Sequence, residues 1–167
     1  MNIINRQLFI RDRQEVHDRL ERWQEVVNQI AETYGGAASL ICQLTDTGIR
    51  LVVSSDQESN PFPAGATFPL EAHTFCKEVI TTQNSIYIGN AEESPEWSSS
   101  PVWSEYGFTS YYGLPVKWPD EEIFGTICVM DRVRTDYPKP FMAWMSCFRD
   151  LIESDLAMTA QLIDRSK

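Results

Sequence analysis

The apolar residues change their period at Gly35-Gly36, and this change narrows the available folds more than any other feature of the chain. Over residues 12–34, Val16, Leu20, Trp23, Val27, Ile30 and Tyr34 recur at steps of 4, 3, 4, 3 and 4, the spacing of one helical face. The glycine pair then stops the helix. From 37 onward the pattern alternates or runs continuously apolar, as strands do, and 37–44 and 49–55 flank the turn Thr45-Asp46-Thr47-Gly48. The helical period returns over 138–166, where Phe141, Trp144, Met145, Phe148, Leu151, Ile152, Leu156, Leu162 and Ile163 make a wide stripe. At 1.5 Å per residue such a helix is roughly 40 Å long and overshoots any sheet it covers.

Between these ends, 70–82 reads as a helix with Phe75, Val79 and Ile80 on one side, and 85–88 as a short strand. Residues 109–118 and 122–130 form a second hairpin around Pro119-Asp120-Glu121. Pro115 falls inside its first strand, where it cannot donate a ladder hydrogen bond, so an edge or a bulge is expected there. Gly125, after the bulky Phe124, marks a second bulge or tight contact. The order is helix, hairpin, helix, strand, long loop, hairpin, helix. Hairpins imply an antiparallel sheet, and helices at both chain ends can lie together on one face of it. The class is α+β, in a single domain spanning 1–167, a length that buries a core unaided.

The N-terminal stripe has two readings. It covers the sheet of its own chain, or Val16, Leu20, Trp23, Val27 and Ile30 pair with their copies in a second subunit. The two are compatible on adjacent helix faces. The connection 89–107 is long for a compact domain and holds Trp97, Trp103 and Tyr106 among serines, prolines and glutamates. Connections of that length are often functional.

Charge limits the partners. Twenty-four Asp and Glu against fourteen Lys and Arg leave a net charge of -10, the opposite of what nucleic acid or an anionic membrane surface attracts. No apolar run approaches the roughly 18 residues of a membrane helix, and the first residues lack a signal peptide's apolar centre. Cys42, Cys76, Cys128 and Cys147 are widely spaced, sit among apolar neighbours and include no Cys-x-x-Cys pair. They read as buried free thiols of a cytoplasmic protein and not as a zinc site, and no metal is expected.

The run 110–131 reads Ser-Tyr-Tyr-Gly-Leu-Pro-Val-Lys-Trp-Pro-Asp-Glu-Glu-Ile-Phe-Gly-Thr-Ile-Cys-Val-Met-Asp and resembles the C-terminal hairpin of GAF domains, small-molecule sensor modules of signalling proteins. Thr74-Phe75-Cys76-Lys77-Glu78-Val79-Ile80 is similar to the family's second helix, and Pro95-Glu96-Trp97 falls in its variable loop. The resemblance implies a GAF-like (profilin/PAS-like) central antiparallel sheet of five to six strands, with the terminal helices on one face and a ligand-pocket layer on the other. It places the pocket beneath 70–82 and 89–107, where the chain offers His73, Phe75, Cys76, Tyr87, Trp97, Trp103, Tyr106, Tyr111 and Tyr112. Only Lys77 and Lys117 offer positive charge nearby, so a neutral or apolar ligand is expected.

By the same resemblance the function is small-molecule signal input in a bacterial signal-transduction protein. The terminal helices would relay the signal through a homodimer to a kinase or cyclase output domain. No cofactor and no catalytic residue is expected. Bilin-binding relatives need a cysteine beside a histidine and an upstream Asp-x-x-Pro run, which are lacking here, and the cyclic-nucleotide motif cannot be assembled. Relatives that reduce free methionine sulfoxide carry clustered cysteines; here only Cys76 reads as pocket-side, with Cys42 and Cys128 on strands and Cys147 in helix core, so reductase chemistry is not expected. Two alternatives remain: an unliganded dimerisation module, and a thiol-based redox enzyme using Cys76.

Overall fold

A computed structural model of the chain describes residues 8–34 and 36–165. Two 3-10 turns, Ile10–Asp12 and Gln14–Val16, lead into α1 (His17–Tyr34), so the regular helix starts five residues later than the expected residue 12. Gly36 closes it by donating its N–H to the Ala31 carbonyl at 2.9 Å; Gly35, the other half of the expected stop, lies outside the described residues, as does Ser166. The strands are β1 (Ala38–Thr45), β2 (Gly48–Ser54), β3 (Thr67–Phe68), β4 (Ile86–Ile88), β5 (Ser110–Lys117) and β6 (Ile123–Asp131). The remaining helices are α2 (Phe75–Thr82), the one-turn α3 (Pro101–Ser104) and α4 (Lys139–Arg165).

All six strands join one sheet in the order β3-β2-β1-β6-β5-β4, and every pairing is antiparallel. The edge strand β3 has no counterpart in the sequence reading, because two residues carry no period. β4 pairs with β5 only at Tyr111, Tyr112 and Gly113. Pro115 therefore lies where β5 has become an edge, which resolves its missing donor. Bulges leave Val52 and Phe124 as extra residues opposite β1 and β5, and turn both side chains to the face that carries α1 and α4. Gly125 is required at its position, since a Cβ there would overlap the Cys42 carbonyl of β1.

Strand alternation gives the sheet two cores. One face, with Ile41, Val53, Leu114, Ile127 and Val129, packs under α1 and α4. The stripe expected to serve a dimer belongs to this core: Val16, Trp23, Val27 and Ile30 are fully buried within the chain, and only Leu20 keeps partial exposure. That seam is thus committed to its own sheet, whose burial of Trp23 alone is worth about 3 kcal/mol. The carboxylate of Asp155 in α4, itself buried, accepts the Trp23 indole N–H at 2.9 Å and meets Arg22 at 3.2 Å. α4 does not hang free at its far end, because Thr159, Ala160 and Ile163 are buried, and the helix also packs on the turn Gln14–Val16. Cys147, expected in the core, is exposed on α4.

Candidate functional site

The opposite face carries Leu40, Cys42, Leu51, Tyr111, Cys128 and Met130, roofed by α2 and by the segments 55–66 and 89–107. α2 begins later than the expected residue 70 because Thr74 caps it, accepting the Lys77 N–H at 3.2 Å. Leu70, counted in the expected helix, is exposed before it. The connection 89–107 is not an open loop. It is folded into a 3-10 turn, Ala91–Glu93, and α3, whose Ser100 cap is wholly buried and also donates its hydroxyl to the His73 carbonyl at 2.6 Å.

Beneath this roof lies a cavity of about 20 Å³. Its floor is Leu40, Cys42, Ile49 and Met130; Phe75 and Cys76 of α2 close one side, and Phe62 and Val102 close the other. Thr74 is the one polar side chain other than the thiols in its lining, and no charged group reaches it. Neither expected cation contributes. Lys77 stays half-buried outside the lining, and the Lys117 backbone N–H is turned to Glu153 of α4 at 2.8 Å.

Of the residues expected in the pocket, Phe75 and Cys76 line the cavity. Trp97 supports it from behind, edge-on to Phe75 at 5.4 Å and stacked at 5.1 Å on His73, whose Nε2 lies 3.1 Å from the Glu96 carbonyl. Trp103 and Tyr106 are half-buried in the roof, Tyr106 packing on Phe62 at 4.8 Å. Tyr111 points to this face and is fully buried. Tyr87 and Tyr112 do not belong to the site. They are register partners one residue out of phase with Tyr111, so both point to the α4 face, where each packs against Tyr137. Tyr87 is exposed there.

Sequence reasoning missed Phe62, which lies in an unpatterned loop, and Arg132, whose position after β6 carried no signal. Arg132 clamps the two roof segments, donating to the Ser59 carbonyl at 2.6 Å and the Tyr106 carbonyl at 3.0 Å while its guanidinium lies 4.4 Å over the Phe108 ring. It missed above all the association of three cysteines. Register sets Cys42 opposite Thr126 and Leu40 opposite Cys128, so the strand thiols share one face, and α2 brings Cys76 down between them. Cys76 Sγ lies 3.9 Å from Cys128 Sγ and accepts the Tyr111 hydroxyl at 3.4 Å. Donation from Cys128, Cys42 and Tyr111 holds the Cys76 thiol well below its usual range against the cost of burial. The same contacts with Cys76, together with burial, push Cys42 and Cys128 up. The thiols expected to be scattered are therefore clustered, and the argument from scattering against thiol chemistry falls.

The architecture is thus one antiparallel sheet, roofed on one side by a short helix and two pinned segments and packed on the other by the terminal helices. The GAF domain model matches residues 18–161, and the chain belongs to that family. Solved structures agree. The GAF domain of an Acinetobacter phosphoenolpyruvate-protein phosphotransferase is 16% identical with a TM-score of 0.67, over 93% of this chain and 90% of that one. The phycoerythrobilin-bound GAF domain of a cyanobacterial phytochrome is 14% identical with a TM-score of 0.70, covering 91% of each chain. A type II free methionine-R-sulfoxide reductase from Thermoplasma acidophilum is 12% identical with a TM-score of 0.66, over 87% of this chain and 97% of that one. At such identities the likeness shows the shared fold alone. No curated protein matches the sequence. Among the described residues, no helix is long and apolar enough to cross a membrane.

Proposed function

We propose that this domain is the sensory input of a bacterial signalling protein, acting in the cytoplasm and holding a small, uncharged ligand between the sheet and the α2–α3 roof. The observation that carries this reading is the charge-free cavity, lined by Phe75, Cys76 and Phe62, on the sheet face opposite the terminal helices. The ligand would act by favouring one arrangement of roof and helices, which requires different affinities for the two arrangements. Its signal would leave through α1 and α4, which Asp155 ties together, towards an output domain of kinase or cyclase type. In this reading α4 pairs with a second copy through Leu151, Met158 and Leu162, which are exposed at helical spacing, in place of the buried α1 stripe.

Thermal melting against a library of neutral metabolites tests the sensor. A saturating ligand at 100 times its Kd adds about 2.7 kcal/mol, a readily measured rise in Tm. No shift with any compound, together with an unchanged midpoint in a cavity-filling Val102→Phe variant, removes the reading. A second reading, a dimerisation module without a ligand, is favoured by the cavity's size of about 20 Å³, near that of one water. Sedimentation at tens of micromolar checks the association both readings use, and a monomer counts against each.

A further inference from the structure

Three sulfurs, one phenol and one threonine hydroxyl meet on the sheet face beneath the roof, where Cys42 and Cys76 line the cavity, an arrangement that packing alone does not require. Gly113 stands opposite Cys128 in the ladder, and with no side chain of its own it lets the Tyr111 ring lie back along β5 towards Cys76; a Cβ at Gly113 would overlap that ring. Thr126 is completely buried on the same face as Cys42, and its hydroxyl lies against the Cys42 and Cys76 thiols. There it adds to the polar groups that meet the Cys76 sulfur. Cys42 and Cys76 both line the cavity, whose volume of about 20 Å³ admits a molecule of the size of water or hydrogen peroxide.

We propose that Cys76 is a peroxide-reactive thiol whose product is resolved by Cys128. Donors converge on the Cys76 sulfur, the state a nucleophilic thiolate needs. That sulfur attacks one oxygen of hydrogen peroxide; an S–O bond forms, the O–O bond breaks, and the departing hydroxide leaves as water with the proton the thiol gave up. Cys128 then attacks the resulting sulfenic sulfur. A disulfide forms, the sulfenic oxygen leaves as a second water with the Cys128 proton, and two thiols have passed two electrons to one peroxide. The Sγ atoms start 3.9 Å apart and must close to about 2 Å, a shift within reach of side-chain rotation on α2. Return to the dithiol needs an external thiol reductant. The chemistry is stoichiometric and does not depend on a second ligand in the cavity, so the melting series above can fail while this inference stands, and the reverse.

The test uses the full chain in a Cys147→Ser background, reduced and then given hydrogen peroxide at a few equivalents, with peptide mapping by mass spectrometry under non-reducing conditions. The expected product is a Cys76–Cys128 linked peptide, two hydrogens lighter, and reversed by dithiothreitol. Cys128→Ser should give no link and a dimedone adduct on Cys76. Tyr111→Phe should slow oxidation several-fold without unfolding the chain, which keeps the test independent of how Cys76→Ser folds. tert-Butyl hydroperoxide, too large for a cavity of about 20 Å³, should react at least tenfold more slowly. Without the serine background, Cys76 should be oxidised before the exposed Cys147. A peroxide-treated protein with Cys76 unmodified, a link through Cys42 in place of Cys128, or equal rates with the bulky peroxide overturns the proposal.

Discussion

The two faces of the sheet each carry an apolar core but hold their covers differently. On one, α1 and α4 pack over Ile41, Leu114, Ile127 and Val129, joined by the buried Trp23–Asp155 hydrogen bond. On the other, eight-residue α2 and one-turn α3 depend on side chains that reach backbone carbonyls: Ser100 to His73, Arg132 to Ser59 and Tyr106, Asn60 to Ser55 at 2.8 Å. Long helices bury many side chains per element and open only with the whole domain. A roof of short pinned segments can open locally, and regions that respond to ligands are drawn from that end of the stability range. The cavity and the thiols lie under the roof that can move.

The largest test of this contrast is a pair of truncations. Trp23→Ala should cost about 3–5 kcal/mol, because the long helices cannot collapse into the space and Asp155 loses its donor. Phe75→Ala should cost less, near the lower end of that range, because it adjoins an existing cavity and a roof able to settle. Equal losses in urea melts would erase the distinction. Next comes Asp155→Ala, which strands the Trp23 N–H and should cost about 1–3 kcal/mol, whereas Asp155→Asn keeps an acceptor and should recover most of it. A full loss in the asparagine variant would move the weight from the hydrogen bond to the charge pairing with Arg22.

Alkali probes both faces together. Burial pushes the Tyr111 hydroxyl, under the roof, and the Tyr137 hydroxyl, under α4, above the usual tyrosine range. The folded state therefore holds these protons more tightly than the unfolded chain. The resulting stability is present below the unfolded value near pH 10 and is lost as pH rises from there towards the folded values, at up to about 1.4 kcal/mol per pH unit per group. Tyr137→Phe and Tyr111→Phe should each flatten the alkaline limb of a stability–pH curve. The smallest expected effect is at the roof pins. Ser100→Ala should cost about 1 kcal/mol while raising amide hydrogen exchange over 97–107, with the α1 amides unchanged. Uniform exchange across both faces would show that the roof opens only with the whole domain.

The hairpins at 38–54 and 110–131 were legible because each strand's apolar period and turn residues agree locally. The site was half legible. Phe75 and Cys76 follow from the helical period of α2, but Tyr87 and Tyr112 were misplaced, since a one-residue phase within a strand decides its face and composition does not report that phase. Phe62, Arg132 and Ser100 act through loop geometry and carried no periodic signal at all. The α1 stripe had the spacing of a dimer seam, yet the same spacing serves a helix lying on its own sheet, and burial settled which use it has.

The period change at the glycine pair thus determined, by itself, that this chain is a hairpin-built sheet with helices at its ends, because local spacing fixes which face of each element is apolar. Only the tertiary structure decided what those faces meet. Cys42, Cys76 and Cys128 are 34 and 52 positions apart, and their meeting depends on the register of β1 on β6 and the descent of α2 onto both. Register and docking are long-range choices, made by the sum of many contacts, and no local stretch of sequence contains them.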